Sequence, residues 1–134
     1  MSIDAKIAQI EYPVESGKYK VAQFYVDKKP YLRFGKIETD TSSDKHSLIV
    51  KRFAEEARLK TIVDSSSKRI RVLPADGAFE IAGMCLCELN LEEKTAEYYL
   101  TSADYRIGID KKHLKSIKPF SQGITSSYNP RRWN

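Results

Sequence analysis

The stretch Tyr19-Lys-Val-Ala-Gln-Phe-Tyr-Val26 decides the fold. Aromatic and β-branched residues dominate it, which is typical of a strand. Every second side chain of a strand lies on the same face, so Ala22, Phe24 and Val26 share one face with Lys20. The turn Asp27-Lys-Lys-Pro30 follows. A returning strand from Tyr31 to Glu38 then completes a predicted hairpin.

The remaining elements extend this hairpin into a layered domain. A second hairpin is predicted where the long strand 79–91 turns at 92–94 into the strand 95–101. Shorter strands are predicted at 6–10, 61–63 and 69–73, with at most one more in the tail. Helices are predicted at about 45–59 and 111–118. The first has an apolar stripe at helical spacing, namely Ile49, Val50, Phe53, Ala54 and Ala57. This order predicts an α+β domain with a mixed, mostly antiparallel sheet built from hairpins and two covering helices.

The length of 134 residues fits one domain. We expect this domain to span 1–127 and the last residues, 128–134, to form an exposed C-terminal arm. No apolar run approaches the roughly 18 residues that a membrane span needs, and the N-terminus lacks the apolar core of a signal peptide. These features predict a cytoplasmic protein that makes no membrane contact.

The chain carries a formal net charge of +5, spread over several short basic pairs. A basic surface attracts anions in general, including phosphates and nucleic acid. In the arm, an indole stands beside two guanidiniums at Arg131, Arg132 and Trp133, a combination suited to single-stranded nucleic acid. One interpretation is therefore a non-enzymatic basic module that binds nucleic acid or another polyanion.

Two cysteines, Cys85 and Cys87, stand two residues apart in the predicted long strand and share a face. Such close neighbours rarely form a mutual disulfide. With only two histidines in the chain, they also give a weak zinc signal. We interpret both thiols as small core residues, and we expect neither a metal nor a cofactor.

His46 is the candidate for catalysis because it lies at the predicted start of the first helix, after possible capping residues at 42–44. Backbone N–H groups there lack intrahelical partners, and the helix dipole favours anions and a neutral imidazole. Neutral imidazole is the form that a general base requires at pH 7. His113, within the second helix, is interpreted as a packed imidazole that shares a face with Ile109 and Ile117.

Two further segments provide groups that could bind an anion. Lys20 lies at the start of its strand, at the rim of a core-facing row, where its ammonium could reach a cleft. Thr101, Ser102 and Ala103 follow the last hairpin strand, and hydroxyl and N–H groups at a strand end can hold phosphate.

These residues resemble the Janus/Ocnus family of small, metal-independent phosphohistidine phosphatases. The similarity rests on Gly17-Lys-Tyr-Lys20, on His46 at the start of a long helix, on Thr101-Ser-Ala103 after a hairpin, and on a Lys-rich helix at 111–118. The resemblance implies a single α+β domain that binds phosphate and hydrolyses phosphohistidine or another phosphoramidate. His46 would be the general base, and Lys20, Thr101, Ser102 and Ala103 would hold the phosphoryl group. The implied substrate is a phosphorylated protein or a small phosphoramidate.

Overall fold

The computed structural model describes residues 7–37, 45–65, 71–103 and 105–132. Its elements, in chain order, are β1 (Gly17–Val26), β2 (Lys29–Lys36), α1 (His46–Ala57), β3 (Thr61–Asp64), β4 (Arg71–Pro74), β5 (Phe79–Asn90), β6 (Thr95–Tyr99), β7 (Thr101–Ser102), β8 (Ile107–Gly108), α2 (Lys111–Ile117), a 3-10 turn (Lys118–Phe120) and β9 (Thr125–Tyr128). The order of helices and strands along the chain is therefore close to the predicted order.

The main sheet has five strands in the order β2-β1-β5-β6-β9. Every neighbouring pair is antiparallel except β6 and β9, which run parallel. The predicted α+β class with a mixed, mostly antiparallel sheet is thereby confirmed. The predicted strand at 6–10 is not formed in its described part, which makes a single bridge between Ile10 and Leu32.

The two helices cover opposite faces of the sheet. α1 packs against Ala22, Phe24 and Val26, and the rings of Phe24 and Phe53 stack with centroids 4.5 Å apart. Ile117 of α2 packs on the other face, in a cluster with Val21, Cys85, Leu89 and Tyr98. Strand alternation thus buries both faces of β1, as the sequence pattern predicts. The helices have 12 and 7 residues, and within the described ranges no helix is long and apolar enough to cross a membrane.

A glycine in β5 allows a buried glutamine to reach the start of α2. The β1–β5 register shifts after Gln23, whose partner is Gly83. A Cβ on Gly83 would lie 2.2 Å from Oε1 of Gln23 and 2.8 Å from the backbone nitrogen of Asp110. Gln23 uses this space, because its Oε1 accepts from Asp110 N at 2.7 Å and its Nε2 donates to Asp110 O at 2.9 Å.

The chain after β9 folds back onto the sheet. Asn129 N donates to Tyr98 O at 2.9 Å, and the Arg132 guanidinium forms ion pairs with Glu88 and Glu97. Over 128–132 the structure therefore differs from the exposed arm expected for 128–134. Tyr128 is the last residue of β9, and the segment through Arg132 is anchored. Residues 133 and 134 lie outside the described residues.

Candidate functional site

His46 is the first residue of α1 and is buried, with 6% of its surface exposed. Its Nε2 lies 3.0 Å from the Cys85 carbonyl oxygen. Since a carbonyl only accepts, Nε2 carries the proton of the neutral ring and Nδ1 is the basic nitrogen. Lys45 occupies the N-cap position in extended geometry, with no capping bond from its side chain. The predicted caps at 42–44 lie outside the described residues.

Lys20 lies in β1 on the face that α1 covers. It pairs with Gly35 of β2 on one side and with Leu86 of β5 on the other, and Leu86 pairs in turn with Tyr99 of β6. Residues paired directly across strands share a face, so this row crosses four strands on the α1 side. Gly35 contributes no side chain to this row, so none covers Lys20 from its β2 partner position.

Thr101, Ser102 and Ala103 follow β6 after a sharp change of direction. Leu100 adopts a φ of 62° in the left-handed region, which ends the β6 strand. Ser102 is buried, and its Oγ accepts from the backbone nitrogen of Tyr105 at 3.3 Å. Thr101 and Ala103 are exposed. The Ser102 hydroxyl is therefore part of a local turn, whereas its neighbours face solvent.

All three candidate segments contact or pair with β5. His46 bonds to the carbonyl of Cys85, Lys20 pairs with the next residue, Leu86, and β7 packs against the same strand. The β5–β6 ladder ends at the pair Leu86 and Tyr99. The carbonyl that holds His46 is therefore one residue beyond the end of this ladder, on the side toward β7.

Two grooves among the described residues lie elsewhere on the molecule. One, of about 470 Å³, lies between residues 11–15, the edge strand β2 and α1. The other, of about 450 Å³, lies between α2 and β9 on the opposite face. Neither groove is lined by Lys20, His46 or Ser102.

An ionic cluster adjoins the Lys20 row. Glu88 and Glu97 are directly opposite each other on β5 and β6, and both pair with Arg132. The Arg132 guanidinium carbon also lies 4.1 Å from the centroid of the Tyr99 ring. Hydrogen bonds to Glu97 and Glu88 raise the pKa of Arg132. The Arg132 guanidinium is thus already paired with two carboxylates of the same chain. The predicted nucleic-acid contact through Arg131, Arg132 and Trp133 stays a prediction.

Sequence reasoning did not identify this cluster, because the predicted turn lies at 92–94 and would place Glu88 opposite Tyr98. The observed turn spans 91–94, and the register places Glu88 opposite Glu97. Two carboxylates at directly opposite positions repel each other, so the pattern calls for a nearby cation. Arg132 lies 35 residues after Glu97, and no local pattern predicts that it pairs with these carboxylates.

His113 has a structural role, as its position predicts. It is fully buried, its Nε2 donates to Phe24 O at 2.9 Å, and its Nδ1 lies 3.2 Å from Nε2 of Gln23. Because the Gln23 amide nitrogen donates, Nδ1 accepts, and both ring nitrogens are satisfied. Burial lowers the pKa of His113, which keeps the ring neutral.

Cys85 and Cys87 are buried free thiols on the α2 face. Burial raises the pKa of Cys87 to about 12 and also raises the pKa of Cys85 well above its ordinary range. A protonated, buried thiol is a poor nucleophile and a poor metal ligand. Both cysteines are therefore core residues, as expected.

Among the described residues, no group of three or more His, Cys, Asp or Glu side chains is arranged to hold a metal ion. The chain matches no protein-family model and no curated protein. The similarity to Janus/Ocnus proteins therefore stays a resemblance.

Proposed function

We propose that this protein binds a phosphoryl group beside His46 and Lys20 and hydrolyses phosphohistidine or a related phosphoramidate without a metal. The observation that carries the proposal is the hydrogen bond from His46 Nε2 to Cys85 O. This bond fixes the ring orientation and makes Nδ1 the basic nitrogen, which is the arrangement that a general base needs.

The charges around His46 favour an anion. Lys45 immediately precedes it, and the first turn of α1 contains no acidic residue. Lys20 pairs with Leu86, the residue after the carbonyl that holds His46. An ammonium on this face would neutralise phosphoryl oxygens, and preorganised charge of this kind commonly contributes most of the stabilisation of a phosphoryl-transfer transition state.

The proposed reaction is in-line hydrolysis of a P–N bond. A water oxygen attacks phosphorus while Nδ1 of His46 accepts the water proton. The P–N bond breaks, and the departing nitrogen takes up a proton, so that inorganic phosphate and the free imidazole or amine are released. Lys20 and the backbone of Thr101 and Ala103 are assigned to the phosphoryl oxygens. Ser102 is assigned to hold the turn through Tyr105.

The test is hydrolysis of a phosphohistidine peptide and of phospholysine by wild type, His46→Ala and Lys20→Ala. We expect His46→Ala to lose nearly all turnover. Lys20→Ala should lower kcat about a hundredfold, since one preorganised donor contributes about 3 kcal/mol to the barrier.

Lys112→Ala provides the matched control. Lys112 is an exposed lysine on α2, on the opposite face of the sheet, so its removal changes net charge equally without touching the site. It should turn over like wild type. Wild-type rates from both Lys20→Ala and His46→Ala, or no hydrolysis by the wild type itself, would refute the proposal.

A further inference from the structure

The guanidinium of Arg132 occupies a well-defined site that we term the cation cage, made of Tyr99, Glu88 and Glu97. Tyr99 lies beneath the guanidinium at 4.1 Å, and the two carboxylates pair with its nitrogens. The Arg132 side chain is 19% exposed, whereas its neighbour Arg131 is on the surface. An aromatic face combined with carboxylates is the arrangement that recognises a guanidinium through cation–π and charge-assisted hydrogen bonds.

The cage is formed by the strands themselves. Glu88 and Glu97 are cross-strand partners, and Tyr99 follows Glu97 by two positions, so all three share the α1 face. Two directly opposed carboxylates destabilise a sheet unless cations lie beside them. Here Lys18 is the cross-strand partner of Glu88 on β1, and Arg132 pairs with both carboxylates. A bound cation is therefore favoured at this position whether it comes from the chain or from a ligand.

The cage and the proposed phosphoryl site are neighbours on this face. Tyr99 belongs to the same cross-strand row as Leu86 and Lys20. Glu88 and Glu97 belong to the row two residues further along, and they lie one and two strands away from Lys20. Roughly 7 Å along the strands and roughly 5 to 10 Å across them put the cage about 9 to 12 Å from Lys20. This spacing fits one ligand that presents a phosphoryl group to Lys20 and a guanidinium to the cage.

We propose that the cation cage binds the guanidinium of an arginine adjacent to the phosphorylated residue of the substrate, and that Arg132 is its built-in competitor. The guanidinium part of this proposal stands on the cage alone, and the substrate part rests on the proposed phosphatase function. Arg132 closely follows the end of β9, so its binding to the cage is intramolecular and the effective concentration of its guanidinium is high. Free ligand must displace Arg132, so binding to the intact chain is weak.

The first experiment titrates argininamide into wild type, Arg132→Ala and Arg131→Ala and follows backbone amide signals by NMR. Argininamide should bind Arg132→Ala with a Kd on the order of 1 mM. It should bind wild type and Arg131→Ala at least tenfold more weakly, because Arg132 fills the cage in both. The shifts should centre on Glu88, Glu97 and Tyr99, and adding Glu97→Gln to Arg132→Ala should remove them.

Arg132→Gln provides a second open cage that keeps most of the side-chain stem, and thermal melting checks that both variants fold. Equal binding of argininamide to Arg132→Ala, Arg132→Gln and wild type would overturn the proposal. So would an absence of binding to both folded variants.

The second experiment compares two phosphohistidine peptides that differ only in an arginine or alanine beside the phosphorylated residue. Arg132→Ala should lower KM for the arginine peptide severalfold relative to the alanine peptide, with kcat unchanged. Equal KM changes for both peptides would remove the substrate role of the cage. If no phosphoramidate is hydrolysed while argininamide still binds the open cage, the phosphatase function fails and the guanidinium site stands.

Discussion

The two histidines of this chain lie on opposite faces of one sheet, and a backbone carbonyl accepts a hydrogen bond from each ring. His46 donates Nε2–H to Cys85 O at 3.0 Å, and His113 donates Nε2–H to Phe24 O at 2.9 Å. Their surroundings differ. His113 is enclosed by Gln23 and the start of α2, whereas His46 starts α1 near the row that contains Lys20. A bond to a carbonyl orients both rings, and the groups around each ring distinguish the proposed general base from the packed histidine.

The largest expected effect separates the two rings by turnover. His46→Ala should lower kcat for phosphohistidine hydrolysis by about a thousandfold, the range for loss of a general base. His113→Ala should leave kcat of the folded protein near that of wild type, because His113 lies on the face away from Lys20. Steady-state kinetics normalised to folded protein measure both. Similar losses from the two variants would remove the functional distinction.

The free energy of unfolding should fall more for His113→Ala than for His46→Ala, the reverse of the order expected for turnover. His113→Ala leaves the Phe24 carbonyl and the Gln23 amide buried without their partner, at a cost of about 3 kcal/mol. His46→Ala removes the bond to Cys85 O at a less buried position, and this loss should cost about 1 kcal/mol. Urea unfolding gives both values. A larger loss for His46→Ala than for His113→Ala would contradict the structural role of His113.

A smaller effect is expected at the glycine that supports the His113 side. Gly83→Ala would press a methyl group against Gln23 and against backbone atoms of Gly108 and Asp110, costing about 2 kcal/mol. Gly77→Ala is the matched control, because an added Cβ there meets nothing within 4 Å. Thermal melting compares the two. Equal melting temperatures would show that the Gln23 clamp relaxes around the methyl group.

These outcomes also mark what the sequence could predict. Alternation in β1 and the turns predicted at 27–30 and 92–94 are local signals, and they predict the hairpins and the α+β class. The helix face shared with Ile109 and Ile117 predicts a packed His113. The partner of His113 is Gln23, 90 residues earlier in the chain, and local periodicity carries no information about that contact. The ion pairs of Arg132 with β5 and β6 also join distant parts of the chain, so local periodicity does not predict them either.

The candidate site was predicted only as residue types near element ends. The start of α1 at His46 follows from the apolar stripe of the helix, and the position of Lys20 follows from strand alternation. The burial of the Ser102 hydroxyl in a turn depends on the left-handed Leu100, for which leucine gives no signal. Local patterns therefore place the elements, whereas tertiary contacts decide which side chains face solvent.

The smallest expected effect is a pH dependence that comes from His113. Burial lowers its pKa below the ordinary value of 6.5, while the hydrogen bond to Phe24 O and the nearby Asp110 carboxylate act in the opposite direction. The unfolded chain then binds more protons just below pH 6.5, so this contribution to stability is full above that pH and is lost as pH falls through the window. Urea unfolding from pH 7.5 to 5 should show a steeper loss for wild type than for His113→Gln. Identical slopes would mean that His113 is not neutral in the fold.

The most direct test of the proposed site is an NMR titration of the isotope-labelled protein with inorganic phosphate. We predict saturable shifts at the amides of Lys20, His46 and Leu86, with Gln23 and His113 unmoved and with the shifts lost in Lys20→Ala. Shifts confined to the α2 face, or none at tens of millimolar phosphate, a range that covers weak anion binding, would contradict the account.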